Sequence, residues 1–177
     1  MNNFYHALDL EKYLTIRNDV VEIGNKLYTE VFNHNFHYDL KKLIETPWHY
    51  DQINESLAVI QGTHTTRYED YHNCWITGLP RAIGEFLVDI NTRKAIIPFH
   101  KPNGSPTCLT SIQFQMRNRN LFVTANFRSW ELSEFADYDL CLLSYLTSEM
   151  AHHLYNPKLS ILTINATNAH VLKGEKL

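Results

Sequence analysis

The segment "GSPTCLTSIQFQ" (104–115) sets a cysteine, Cys108, just after a Gly-Ser-Pro turn and at the start of an alternating strand. Inside a core strand a cysteine is a small hydrophobe. At the exposed end of a strand, beside cations, it is a nucleophile. Three features near it carry chemistry. Arg128 and Ser129 close the second strand of a hairpin whose first strand Cys108 opens. Antiparallel pairing therefore returns a guanidinium to the thiol, and a nearby cation raises the thiolate fraction. Arg93 and Lys94, in "NTRKAI", form a compact cationic pair suited to a phosphate. Asp139 stands near the start of a long helical stretch. Each feature also has a plain structural reading. These are an inert core thiol, a surface ion-pair partner, a solvated charge run and a first-turn acid that suits the helix dipole. Residue types and spacing alone define a candidate site and no named reaction.

The chain that must position these residues has 177 of them, enough for one domain with a real core, taken as 1–177. Its 44% hydrophobic and 20% charged content is that of a folded globular protein rather than a disordered one. A net charge of −3 argues against a broad nucleic-acid surface. Three cysteines, Cys74, Cys108 and Cys141, form no paired spacing, so neither a disulfide framework nor a zinc site is expected, and a reducing cytoplasm is. The N-terminal "MNNFYHALDLEKYL" lacks a basic region and a long apolar run, and no stretch reaches the length of a membrane span. His34 and His37 fall in a predicted strand at an odd offset, which points them to opposite faces and leaves no metal pair. His152 and His153 lie near a helix end, where positive charge suits the dipole.

Patterning predicts the supporting elements. Residues 8–22 read as an amphipathic helix within an N-terminal segment, 1–26. In 28–40, Tyr28, Phe32, Phe36, Tyr38 and Leu40 share one face of a strand. A helix is predicted over 51–62, with Asp51 as cap and Gly62 as stop, and another over 79–90, with Pro80 at its tolerated first position. Residues 93–100 read as a strand, and 108–129 as a hairpin with a polar turn. Leu140, Leu143, Met150 and Leu154 mark a long buried helix, and 158–165 a last strand. This mixed order predicts an α+β domain with one sheet face covered by helices.

Taken together, "SPTCLTSIQFQ", "NLFVTANFRS" and "YDLCLLSYL" resemble the active-site core of the thymidylate synthase family, which includes the pyrimidine nucleotide hydroxymethylases. Pro106 and Cys108 match the family's Pro-x-Cys, Gln113-Phe114 its Gln-Phe, and Arg128-Ser129 its Arg-Ser. Glu131 stands where the family has an Asp, and Tyr138-Asp139 where it has Phe-Asn. "NESLAVIQG" is similar to the helix that carries the catalytic Glu, which falls on Glu55. "TRK" resembles the arginine pair that reaches the partner subunit's phosphate site, here Arg93 and Lys94. "NAH" brings His170 to a sugar hydroxyl, and "YHNCW" brings Tyr71 near the thiol. The resemblance covers residues 27–172, and it rests on the order of the motifs together.

The resemblance implies a thymidylate synthase-like mixed sheet packed face to face in a homodimer. It implies a pyrimidine nucleoside monophosphate as substrate and methylenetetrahydrofolate as cofactor. The Cys108 thiolate would add to C6 of the base and make C5 a carbon nucleophile. Glu55 would move protons and Tyr71 would assist, as the catalytic set. Arg128, Ser129, Asp139, His170, Arg93 and Lys94 would bind substrate, and Glu131 the cofactor. No metal is implied.

Asp139 departs from the family's Asn. A carboxylate accepts from the N4 amino group of cytosine and cannot donate to O4 of uracil. Asp at this position resembles the deoxycytidylate hydroxymethylases, which implies dCMP as substrate, 5-hydroxymethyl-dCMP as product and a bacteriophage setting with modified DNA. Leu109 and Leu172 replace a His and a sugar-binding Tyr of the family, and the chain ends soon after His170, where the family carries the segment that closes over folate. Two further readings therefore stay open: a dUMP-methylating thymidylate synthase, and a relative that binds a nucleotide or protein without turnover.

Overall fold

The computed structural model of the chain describes residues 20–23, 26–63, 69–133 and 135–175. Among them, one mixed sheet of seven strands meets four helices, the mixed architecture expected of an α+β chain. The strands are β1 (Val20–Ile23), β2 (Lys26–Asp39), β3 (Ile96–His100), β4 (Pro106–Arg117), β5 (Asn120–Phe127), β6 (Trp130–Glu131) and β7 (Lys158–Glu175). The helices are α1 (Leu40–Ile44), α2 (Tyr50–Gln61), α3 (Glu69–Val88) and α4 (Ala136–His153). The sheet order is β1-β2-β7-β5-β4-β3, and β6 adds to β7. β7 runs parallel to β5 and β6, and the other pairings are antiparallel.

The β4–β5 hairpin follows from alternation. Ile112, Phe114 and Met116 on β4, with Leu121, Val123, Ala125 and Phe127 on β5, are buried. The turn residues Asn118 and Arg119 both have positive φ, 50° and 63°. Left-handed backbone at both central positions matches the twist of the flanking strands. Over the core lies α4, whose Leu140, Leu142, Leu143, Leu146 and Met150 are at most 2% exposed. On α2, Gly62 ends the helix with φ 74°, and the His72 ring lies so close that a Cβ there would sit 2.7 Å from Nε2.

Four expectations are corrected. Residues 20–23 form β1 rather than the end of a helix, in keeping with the β-branched Val20, Val21 and Ile23. The rest of that expected helix, 8–19, lies outside the described residues. α3 begins at Glu69, so Pro80 sits inside the helix rather than at its start. A proline there lacks an N–H and crowds the carbonyl four residues back. Packing overrides this cost, since Cys74, Trp75, Ala82 and Phe86 are all buried. Asp51 lies in the first turn of α2, whose cap is His49, with its N–H donating to Gln52 Oε1 at 2.8 Å. Finally, β7 continues past 165 to Glu175, and this carries His170 in register with β2.

The edge strand β3 is closed by α3. Arg81 Nη2 donates to the Ile96 carbonyl at 3.0 Å. Cys74 Sγ donates to the His100 carbonyl and accepts from its N–H, at 3.3 and 3.4 Å. Pro98, between them, has no N–H to offer a further strand. Among the described residues, no helix is long and apolar enough to cross a membrane.

Close contact of α3 with β3 is testable. A Cβ at Gly78 would lie 2.5 Å from Ile97 Cγ2, and Ile97 is fully buried. Gly78→Ala is expected to lower stability by about 1–3 kcal/mol through overpacking, despite alanine's better helix propensity. Urea denaturation reads this directly. A midpoint equal to or above wild type would mean that α3 does not press on β3 here.

Candidate functional site

Cys108 owes its exposure to a change of phase in β4. The register passes from Leu109 opposite Phe127 to Ser111 opposite Asn126, so Thr110 is an extra residue. Such a bulge re-aims the side chains beyond it. Thr107 and Leu109 are buried before the shift, and Ile112, Phe114 and Met116 after it. Cys108 takes the outward position and is exposed, whereas Cys74 and Cys141 are buried.

Around Cys108 the strand end is tied down by its neighbours. The Arg128 N–H donates to the Cys108 carbonyl at 3.0 Å, and Arg128 Nε donates to the Thr107 carbonyl at 3.1 Å. The Leu109 N–H donates to Tyr71 Oη at 3.2 Å, which brings α3 to the strand one residue from the thiol. Burial raises the pKa of the Tyr71 phenol far above its ordinary value, and the charges of Asp139 and Cys108 add to this against a lowering by the Leu109 bond. Tyr71 therefore stays protonated at neutral pH, as a hydroxyl rather than a phenolate. Cys108, Tyr71, Arg128 and Asp139 share this region.

Asp139 is 6% exposed, and its Oδ2 accepts from Trp130 Nε1 at 2.9 Å. Trp130 stacks on Phe127 and meets Phe36 edge-on, with ring centroids 5.4 and 5.1 Å apart. The indole thus carries the carboxylate on the aromatic core. Glu55, half-buried on α2, has a carboxylate oxygen, Oε2, shielded from solvent. Its neighbour Ser56 bonds the Cys141 thiol on α4, while burial pushes that thiol up to about 11.

A second group gathers where β2, β6 and β7 meet. His170 stands opposite Glu30 on β2 and Glu131 on β6. Burial lowers the His170 pKa, and Glu131 and Glu30 oppose that shift. Glu131 Oε1 accepts from the Ser133 N–H at 2.9 Å and from the Ser133 hydroxyl, so the carboxylate holds its own turn. Ser129 is half-buried in the bend between β5 and β6.

Arg93 and Lys94 are not brought to Cys108 within one chain. Gln113 Nε2 donates to the Arg93 carbonyl at 2.8 Å, and the Phe114 N–H to the Ala95 carbonyl. At about 3.4 Å per residue, Gln113 lies roughly 17 Å along β4 from Cys108. His34 and His37 also part. His34 meets Phe36 edge-on, and His37 Nδ1 lies 3.1 Å from Thr163 Oγ1. Among the described residues, no group of three or more His, Cys, Asp and Glu is placed to hold a metal ion.

Sequence reading missed Trp130 and Glu30. Trp130 had one signal, a large aromatic next to the Arg128-Ser129 motif. Glu30 had none, because its relation to His170 spans 140 residues and appears only with the β2–β7 register.

Compared with models of known protein families and with curated proteins, the chain matches none.

The thiol environments predict unequal reactivity. In the native protein, Ellman's reagent is expected to modify one thiol per chain quickly and two only on unfolding, and Cys108→Ser should remove the fast phase. A fast phase that survives this substitution would mean that Cys108 is not the accessible thiol.

Proposed function

We propose that the chain is an enzyme of pyrimidine nucleotide metabolism, a one-carbon transferase acting at C5 of dCMP through a Cys108 adduct at C6. The observation that carries the reading is an exposed cysteine re-aimed by a bulge, with Arg128 bonded across its peptide and Tyr71 bonded to the next residue. A structural thiol needs none of this. The fold family is proposed as thymidylate synthase-like, on the strength of the motifs and a mixed sheet compatible with them.

In this reading the Cys108 thiolate adds to C6, and the electron pair moves to C5. C5 then takes a proton or a one-carbon electrophile, loses its original hydrogen, and the thiolate departs. The neutral Tyr71 hydroxyl donates hydrogen bonds near the adduct, and Glu55 carries protons. Arg128 and Ser129 receive the phosphate. Asp139 accepts from the cytosine amino group through the carboxylate that Trp130 orients. Arg93 and Lys94 complete the anion site only from a second copy, so a homodimer is part of the proposal. The polar open face of the sheet, where Asn165 donates to Asn126 and Asn126 to Ser111, is its proposed contact. The cytoplasm of a bacteriophage-infected cell is the proposed setting.

Methylenetetrahydrofolate is the donor that the resemblance brings. The residue it offers, Glu131, turns Oε1 to Ser133 and does not fit a pterin through that oxygen. This favours one alternative, a nucleotide-binding relative without turnover.

Activation of C5 needs no donor, so it is the sharpest test. Tritium is expected to exchange from 5-tritiated dCMP into water, and Cys108→Ser should slow this at least about 10³-fold. Binding of dCMP without exchange, in wild type, would overturn the transferase reading and leave the binding one. For base recognition, Asp139→Asn should shift the dCMP to dUMP preference by roughly 10²-fold. Equal selectivity in both proteins would remove Asp139 from base reading.

A further inference from the structure

α3 is apolar on both of its faces. Toward the sheet it buries Tyr71, Cys74, Trp75, Ala82 and Phe86. Away from the sheet, Ile76, Pro80 and Leu87 share one stripe with Val88 beside it, and all four are exposed. Leu87 and Val88 are 81% and 88% exposed, and Ile90, just past the helix, continues the patch. Ile76, Leu87, Val88 and Ile90 are four of the nine exposed large hydrophobics among the described residues, so this exposure is concentrated rather than scattered. A helix that is apolar all round belongs in an interior, and a contiguous apolar patch marks an interaction surface. Gly84 falls on the same side, one turn beyond Pro80. Glycine weakens a helix interior, and a Cβ at Gly84 would meet nothing within 4 Å. The missing side chain therefore leaves room for something outside the chain.

We propose that this face of α3 is covered by α3 of a second copy of the chain, packed antiparallel about a two-fold axis beside Ile83 and Gly84. The charges select this occupant. From Trp75 to Val88, Arg81 and Glu85 are the only charged residues, of opposite sign and one turn apart. The axis sets Arg81 against Glu85 of the second copy, and Glu85 against its Arg81. The same operation sets Pro80 against Leu87, and Ile76 against Ile90, so apolar side chains meet apolar ones. A parallel pair of helices would oppose Arg81 to Arg81. A two-fold contact needs this self-complementarity, and a foreign partner does not. Arg81 Nη2 donates to the Ile96 carbonyl at 3.0 Å, which holds the guanidinium at the edge of the stripe. Its fork carries further donors for a carboxylate. α3 lies on the sheet face that carries Phe114, whose ring centroid is 6.4 Å from that of Trp75. The outer stripe therefore points away from the open face of the sheet, and the contact does not depend on the nucleotide reading.

Sedimentation over a wide range of concentration reads the contact. The wild type should associate. Gly84→Leu, whose new side chain enters open space in the single chain, should keep its fold and halve the mass of the assembly. Halving is expected whether or not the sheet faces also pair. Arg81→Glu and Glu85→Arg should each weaken association at least about tenfold by setting like charges together. The two reversals combined should restore it to within about threefold of wild type. Arg81→Glu also loses the bond to Ile96, so recovery in the combined variant is the outcome that a merely structural role would not give. A wild-type mass equal to that of Gly84→Leu at every concentration assigns the apolar face to another occupant and overturns the proposal. Association that survives all three single changes overturns it as well. Single reversals that the combined variant does not rescue overturn the antiparallel register.

Discussion

The extra residue at Thr110 is the constraint on which the site depends. In a strand with strict alternation, Cys108 would fall on the same face as Ile112, Phe114 and Met116, all of them buried. It would then be one more small core side chain. The bulge exchanges the roles of odd and even positions, so Leu109 fills the core and Cys108 faces outward. Thr110 secures the irregularity by donating its hydroxyl to the Asn126 carbonyl at 2.9 Å. Arg128 then closes the end of the ladder on the Cys108 carbonyl. A local defect in pairing thus becomes a fixed direction for one thiol, and the rest of the sheet holds it there.

A related change of phase occurs farther across the sheet. On β7, burial passes from Leu162, Ile164 and Ala166 to Ala169 and Val171. Opposite this change, β2 carries Asn33 with φ 51°, a left-handed residue inside a strand. Beyond it, Trp130 pairs with Ala169 and packs on Phe127 and Phe36, so that side is the core side. Glu131 and His170, the next pair along, therefore face away from the core, as Cys108 does. Charge then divides this end of the molecule. Arg128 makes the Cys108 flank cationic, and Glu30 and Glu131 make the His170 flank acidic.

Much of this was legible in the sequence, and the limits have physical causes. The hairpin was readable because its alternation and its polar turn agree, and α4 because its leucines repeat at helical spacing. That Cys108 and Arg128 meet followed from antiparallel pairing alone. Its exposure did not follow, because a bulge leaves no mark in an otherwise alternating run such as "CLTSIQFQM". Pro80 reads as a helix start, since a proline inside a helix is costly. The buried Trp75, Ala82 and Phe86 outweigh that cost, and packing is not visible in local propensity. The meeting of Glu30 with His170 was out of reach for another reason. It depends on a register between two strands separated by most of the chain.

The three thiols show how context decides the chemistry of one residue type. Cys74 serves as a bridge, donating to and accepting from the His100 backbone, and so helps close the β3 edge. Cys141 is wrapped in the core between α2 and α4, where burial holds the proton on sulfur. Both are buried. Cys108 alone combines access with a guanidinium bonded to the adjoining backbone. Its surroundings also include a phenol that burial keeps protonated and a carboxylate fixed by an indole. Each of these partners comes from a different part of the fold: the bend after β5, α3 and α4. A displacement of any one of them would leave the thiol exposed but without its company, so the geometry at Cys108 depends on the docking of the helices as much as on β4 itself.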